Sequence, residues 1–166
     1  WLLVPGASPR ERAAASAAAV AERLTASIAF FEEKVAADSL HWLAAAHLAR
    51  RHVERFGLTA SLDDLHAAER AARLAATLDP DRSGALARLS GIQLMQHRFA
   101  DALGTARAAV AADSADVDAW GALLEAAHAA GNAILADSAV MRIPRTTVGG
   151  LVRVAQHQEA RGDGES

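Results

Sequence analysis

The feature that most constrains this chain is an internal repeat with a period of about 34 residues. Small residues, large residues and helix-ending residues return in the same order. Ala68, Ala72, Ala75, Asp79 and Pro80 are followed one period later by Ala102, Ala106, Ala109, Asp113 and Ser114. In the same way, Leu86, Leu89 and Ala102 are followed by Trp120, Leu123 and Ala136. A period in this range is typical of stacked supersecondary units, each of which buries its apolar face against its neighbours. Such an array presents an extended surface rather than an enclosed pocket.

Hydrophobic spacing predicts helices along most of the chain. Val20, Leu24, Ile28, Phe31 and Val35 form one apolar stripe with helical spacing. No strand-like alternation extends over more than a few residues. The predicted helices span about 9–37, 40–56, 62–78, 83–96, 99–112, 117–130, 133–142 and 146–161.

Several residues mark the predicted helix ends. Ser8, Pro9 and Glu11 have the order typical of a helix start, with a capping residue, a first-turn proline and an early acid. Gly57 is predicted to close the second helix in the left-handed conformation, and residues 57–63 are predicted to form a connecting loop.

The amino-acid composition limits how the core can pack and which kinds of partner the chain can bind. Hydrophobic residues make up 52% of the 166 residues, but alanine supplies most of them and aromatic residues only 4%. A core of this kind depends on closely approaching helices, since alanine buries little area. The net charge of −3 gives no basic surface for nucleic acid, and the absence of cysteine excludes disulfides and thiolate metal sites.

No uninterrupted apolar stretch reaches the roughly 20 residues of a membrane span. The chain opens with Trp1-Leu2-Leu3-Val4-Pro5-Gly6 and no methionine. This start fits the remainder of a removed signal or anchor segment, and it equally fits a packed or frayed terminus. Cytoplasmic and exported locations both stay open.

The helix pairs resemble tetratricopeptide repeats. The matching residues of the clearest unit are Leu86, Leu89, Ser90, Phe99, Ala102, Ala106, Ala109 and Asp113-Ser114. Ala102 and Ala136 stand where a helix crosses its partner and only a small side chain permits close approach. Ser114 departs from the family pattern, which usually has proline, and the family's glycine of the first helix is Ser90 in one unit and Leu124 in the next.

The resemblance implies an all-α fold, a right-handed superhelix of helix pairs preceded by a long N-terminal helix. Asp38 and Asp79 are further apart than one repeat period, and we assign the extra residues to the lengthened loop between the helices of that unit. Pro144 shortens a later unit. The expected segments are 1–8 (N-terminal segment), 9–37 (N-terminal helix), 38–82 (unit with an extended inter-helix loop), 83–116 (regular unit), 117–147 (shortened unit) and 148–166 (first helix of a partial unit).

The resemblance further implies a non-catalytic scaffold that binds a peptide or protein segment in the concave groove lined by the first helix of each pair. The candidate partner-binding residues in that groove are Arg50, Glu54, Leu94, Met95, Glu125 and His128. The lysine and asparagine clamp with which some members grip acidic chaperone tails is absent, because those positions hold Ala46, Arg50, Ala87, Gly91, Gly121 and Glu125.

Two other functions remain open. The first is a structural or assembly module that self-associates or docks through its terminal helices, particularly the uncovered C-terminal helix. The second is an accessory domain of a longer enzyme. An exposed apolar groove would favour peptide binding, whereas exposed apolar ends would favour assembly.

Neither a metal site nor a cofactor is expected. The chain has seven histidines, but none forms a His-Glu-x-x-His motif. His47 and His52 flank Arg50 and Arg51, whose charges would repel a metal ion, and a solvated helix face explains this cluster more simply than an anion site does. Gly149-Gly150 is a lone glycine pair before the last helix rather than a phosphate-binding loop, so no residues point to catalysis.

Overall fold

The computed structural model describes residues 8–79, 81–146 and 148–162, without the side chains of residues 12–14. Pro80, Asp163 and all but Ser8 of the predicted segment 1–8 lie outside the described residues. The helices within these ranges are α1 (Pro9–Ala37), α2 (Trp42–Thr59), α3 (Leu62–Leu78), α4 (Ser83–Met95), α5 (Phe99–Ala112), α6 (Val117–Ala129), α7 (Ala133–Val140) and α8 (Val148–Arg161). The described ranges contain no strand, so the all-helical fold class is confirmed.

The helices pack in successive pairs, α2 with α3, α4 with α5 and α6 with α7. We call the first helix of each pair an A helix and the second a B helix. Each B helix also packs against the next A helix along the chain, and α1 packs against α2 in the same manner. The A helices α4 and α6 contact each other directly, whereas α3 and α5 contact each other little. Between these two units the A helices are therefore packed more closely than the B helices.

Local sequence signals set several of the helix ends. Ser8, the predicted capping residue, forms a capping box with Glu11: the Ser8 backbone N–H donates to Glu11 Oε2 at 2.6 Å, and the Glu11 N–H donates to Ser8 Oγ at 3.3 Å. Asn132 caps α7 by accepting the Leu135 N–H at 3.1 Å. These bonds satisfy donors that a helix N-terminus otherwise leaves without a partner.

The predicted loop at 57–63 is wrong. α2 continues through Gly57 to Thr59, and the left-handed residue is Ala60, with φ 53°. Only residues 60–61 connect α2 to α3. The extra residues of this unit instead lengthen its helices, which have 18 and 17 residues where α4 and α5 have 13 and 14. The helix continues past Gly57 because its backbone hydrogen bonds continue as far as Ala60, whose N–H donates to Phe56 O at 2.8 Å.

Alanines form most of the core, as the composition predicts. Ala68, Ala102 and Ala136, which follow one another at the repeat period, are all 0% exposed. They lie in clusters in which small residues of the B helices face leucine and isoleucine side chains such as Leu89, Ile92 and Leu123. The small size of alanine at the helix crossings is therefore what lets the backbones approach.

α1 satisfies the length and composition criterion for a membrane span, with a mean hydropathy of 1.2 over its most apolar stretch. The sequence reading found no span because the helix contains Glu22 and Arg23 and takes its apolar character mainly from alanine. Buried core helices and signal sequences satisfy the same criterion. Leu24 and Ile28 of α1, at 9% and 3% exposure, are buried within the protein, whereas only 6% of the apolar stretch as a whole is buried.

Candidate partner-binding surface

We call the exposed side of the A helices the A-helix face. It is formed by Arg50 of α2, by Arg88, Gly91 and Met95 of α4, and by Glu125 of α6. Gly91 lies half-buried at its centre, and a Cβ atom added there would meet no atom within 4 Å. Arg88 has no ion-pair partner among the described residues. The face is therefore open at its middle and carries both signs of charge.

Arg50 and Glu54 lie together on α2 and bind each other. Arg50 Nε is 2.8 Å from Glu54 Oε1, and Arg51 Nη1 is 2.6 Å from Glu54 Oε2. Burial raises the pKa of Glu54, but the hydrogen bonds from Arg50 and Arg51 outweigh it and hold the pKa below its ordinary value. Both oxygens of Glu54 are thus occupied, while Arg50 keeps 54% of its side chain exposed.

Leu94 and Met95 have different environments although they are adjacent in α4. Leu94 packs against the core cluster of α5, α6 and α7. Met95 is 38% exposed and belongs to the A-helix face. Of the two, Met95 therefore offers the more exposed apolar surface to a partner.

Glu125 and His128 of α6 both contact α8. Glu125 Oε1 is 3.8 Å from Arg153 Nε, and His128 Nε2 is 3.0 Å from His157 Nδ1. Arg153 also covers Gly121, where an added Cβ would meet its guanidinium at 2.7 Å. The last part of the predicted groove is thus occupied by side chains of the chain's own C-terminal helix.

His128 belongs to a polar chain of side chains that the sequence reading missed. Beyond His128, His157 Nε2 lies 3.1 Å from Asp137 Oδ1 of α7, a close contact that is not aligned as a hydrogen bond. Arg161 binds the other oxygen of Asp137. Burial lowers the pKa of His128, His157 lowers it further, and Asp137 opposes both effects.

A signal for this cluster was present in the sequence. If Leu151 and Val154 of α8 correspond to Trp120 and Leu123, then His157 corresponds to Ala126, which is fully buried. A histidine at a core position needs a polar partner. The correspondence between α8 and α6 therefore indicates a buried polar contact at His157, although it does not identify the partner of that contact.

A second missed cluster joins α2 to α3. His52 Nδ1 lies 2.9 Å from Asp64 Oδ1, and Arg55 Nη2 lies 2.6 Å from the same oxygen. Both His52 and Asp64 are buried, at 5% and 3% exposure. Burial raises the pKa of Asp64, but hydrogen bonds from Arg55 and His52 outweigh it and lower the pKa below its ordinary value. His52 therefore faces the interior and does not form one cationic surface with Arg50.

Two of the clefts on the described part of the protein are well enough formed to compare with the predicted site. The larger, of about 690 Å³, lies on the B-helix side, and the smaller, of about 270 Å³, lies between α7 and α8. None of the six predicted partner-binding residues lines either cleft. No group of three or more histidine, aspartate or glutamate side chains with the geometry to hold a metal ion occurs in the ranges that the structure covers.

Comparison with known proteins bears on the fold. No protein-family model matches the chain, and no curated protein matches its sequence. Among solved structures it is similar to MamA, a protein with tetratricopeptide repeats, with a TM-score of 0.63 and 16% sequence identity. The match covers 82% of this chain and 78% of MamA. The chain has a tetratricopeptide-like fold.

This likeness agrees with the helix pairing and with the regular spacing of the buried alanines. It concerns backbone architecture, since few side chains are shared at this identity. The residues that a partner would touch therefore have to be argued from this chain's own surface.

Proposed function

We propose that the protein is a non-catalytic scaffold that binds a peptide or protein segment along the A-helix face. The observation that carries this proposal is the open space over Gly91, bordered by Arg88 and Met95 one turn to either side. A main chain can approach α4 closely there. The adjacent charges and the flexible thioether of Met95 supply polar and adaptable apolar contacts.

The rigidity of the array supports this function. Helices that are fixed by buried alanine crossings need no further ordering when a partner binds, so less conformational entropy is lost. The guanidinium groups of Arg50 and Arg88 and the carboxylate of Glu125 would set the orientation of a bound segment through charge.

The experiment compares two helical glycines at which a larger side chain can be introduced without a clash. Gly91 on the A-helix face and Gly149 on α8 both lie in helices, and a Cβ at either position meets nothing within 4 Å. A photo-crosslinking amino acid placed at Gly91 is expected to form adducts with a partner protein in cells, whereas the same residue at Gly149 is not. Met95→Glu should abolish the Gly91 adduct, and a persistent adduct in that variant would refute groove binding.

One observation favours assembly through the C-terminal end as a second candidate function. Large apolar side chains of α7 and α8 and their connection are exposed, namely Ile134 at 82%, Met141 at 75%, Val148 at 79%, Leu151 at 52% and Val152 at 48%. More apolar surface is exposed there than on the A-helix face. In this case adducts would form at Gly149, and they would join two copies of the chain.

Light scattering after size-exclusion chromatography separates the two candidates further. If the C-terminal end mediates assembly, the protein should dimerise or polymerise with increasing concentration, and Leu151→Glu should make it monomeric. A monomer at all concentrations would exclude self-assembly through this end.

A further inference from the structure

The larger cleft is a separate feature from the A-helix face. It has a volume of about 690 Å³ and opens on the B-helix side, between α3 and α5. Leu86 and Leu89 of α4 form its floor, Arg73 stands on the α3 side, and Ala108 and Ala112 stand on the α5 side. Arg82, at the start of α4, lies at its edge.

The repeat explains why this cleft is open. Ala108 and Ala112 come one repeat period after Leu74 and Leu78 of α3. Leu74 packs on the cluster beside α1 together with Val35. In α5 the corresponding positions carry only methyl groups, so the space between successive B helices is left empty. This is a difference between two units of one chain and not a property of the repeat itself.

The cleft is cationic at its rim. Arg73 and Arg82 are the charged residues that line it, and no carboxylate does. Arg73 is paired with Glu69 at 2.6 Å; Glu69 also binds Arg98 at 2.7 Å, and Arg98 is itself paired with Asp101 at 2.6 Å. Arg82 has no ion-pair partner among the residues described. The apolar floor is therefore bordered by one paired guanidinium group, that of Arg73, and one unpaired group, that of Arg82.

We propose that this cleft docks an acidic amphipathic helix of a partner protein. Leucine-sized side chains of that helix would rest on Leu86 and Leu89, while its carboxylates would meet Arg73 and Arg82. A groove between two helices suits an incoming helix, and the alanines of α5 let its backbone approach closely. This surface is distinct from the A-helix face, so the two proposals fail independently.

The first test uses a synthetic helical peptide of about 16 residues, with leucines at positions i, i+4 and i+7 and glutamates beside them. Its affinity for the full chain is measured by fluorescence anisotropy. The comparison peptide has lysine in place of each glutamate. We expect saturable binding of the acidic peptide, weakened about tenfold by Arg82→Glu. The matched control is Arg107→Glu, an exposed α5 arginine outside the cleft, which should leave the affinity unchanged.

The second test fills the cleft. Ala108→Leu combined with Ala112→Leu restores the leucines present in α3, so the fold should persist while peptide binding is lost. Circular dichroism checks the fold, and Ala100→Leu, on an exposed α5 site outside the cleft, is the matched control.

Three results would overturn the proposal: no binding of the acidic peptide, equal binding of the lysine peptide, or unchanged binding to the filled variant. Binding of dodecanoate, a small amphiphilic carboxylate, without binding of the peptide would also overturn it and assign the cleft to a small ligand.

Discussion

His97 and Gly131 occupy the same turn in successive helix pairs, and both have a positive φ, 58° and 68° respectively. They are one repeat period apart, and each follows an A helix. The hydrogen bonds match as well, since the Arg98 N–H donates to Gln93 O at 2.9 Å and the Asn132 N–H donates to Ala127 O at 2.8 Å. The repeat is thus present in the backbone even where the side chains differ.

The left-handed conformation is unfavourable for histidine and easy for glycine. We therefore expect His97→Gly to raise the free energy of unfolding by up to about 1 kcal/mol. The reciprocal control, Gly131→Ala, should lower it by about 1 kcal/mol. Urea denaturation followed by circular dichroism measures both. A destabilised His97→Gly variant would show that the imidazole makes a stabilising contact that outweighs the backbone strain.

Acid should destabilise the protein through His128. Its pKa lies below the ordinary value of 6.5, so the unfolded chain takes up this proton at a higher pH than the folded chain does. Acidification below about pH 6.5 therefore favours the unfolded state, and the stability from this group is retained above that pH. We expect His128→Gln to flatten the decrease in melting temperature between about pH 7 and pH 5, whereas His66→Gln, at an exposed position on α3, should not.

Asp64 should be among the most sensitive positions. Asp64→Asn removes the carboxylate from buried His52 and from Arg55, which we expect to cost about 3 kcal/mol because a buried ion pair loses one partner. Asp63→Asn, at the exposed neighbouring position, should change the stability by less than about 0.5 kcal/mol. Chemical denaturation of the two variants decides this, and equal stabilities would contradict the proposed role of the cluster.

The helix crossings should not tolerate larger side chains. Ala102 is 0% exposed, and the hydroxyl of Ser90 donates to its carbonyl oxygen at 2.9 Å. Ala102→Leu should therefore destabilise the fold by about 1–3 kcal/mol through overpacking. The exposed control, Ala100→Leu, should be nearly neutral. Thermal melts of both variants test whether close approach at this crossing limits the side-chain size.

The sequence alone predicted most of the helices correctly, because their signals act over a few residues. Ser8 caps α1 as predicted, and α3 spans the predicted residues 62–78. The error at Gly57 has a local cause, since glycine is tolerated inside a helix when later residues complete the hydrogen-bond ladder.

The candidate site was less predictable. Of the six residues, Arg50 and Met95 lie exposed on the A-helix face, Leu94 is partly buried against a core cluster, and Glu54 is bound by Arg50 and Arg51. Glu125 and His128 meet α8. These outcomes depend on the rotation of one helix relative to another, which the spacing of residues within a helix does not specify.

The sequence by itself determined the repeat period, the helix pairs and the alanines at the helix crossings, because each of these follows from the spacing of small and large residues along the chain. Only the tertiary structure decided that α8 covers the end of the A-helix face through His157 and Arg153, and that a cationic cleft lies between α3 and α5. Both depend on contacts between residues far apart in the sequence. Such contacts are fixed by the way whole helices pack, and not by the residues next to them in the chain.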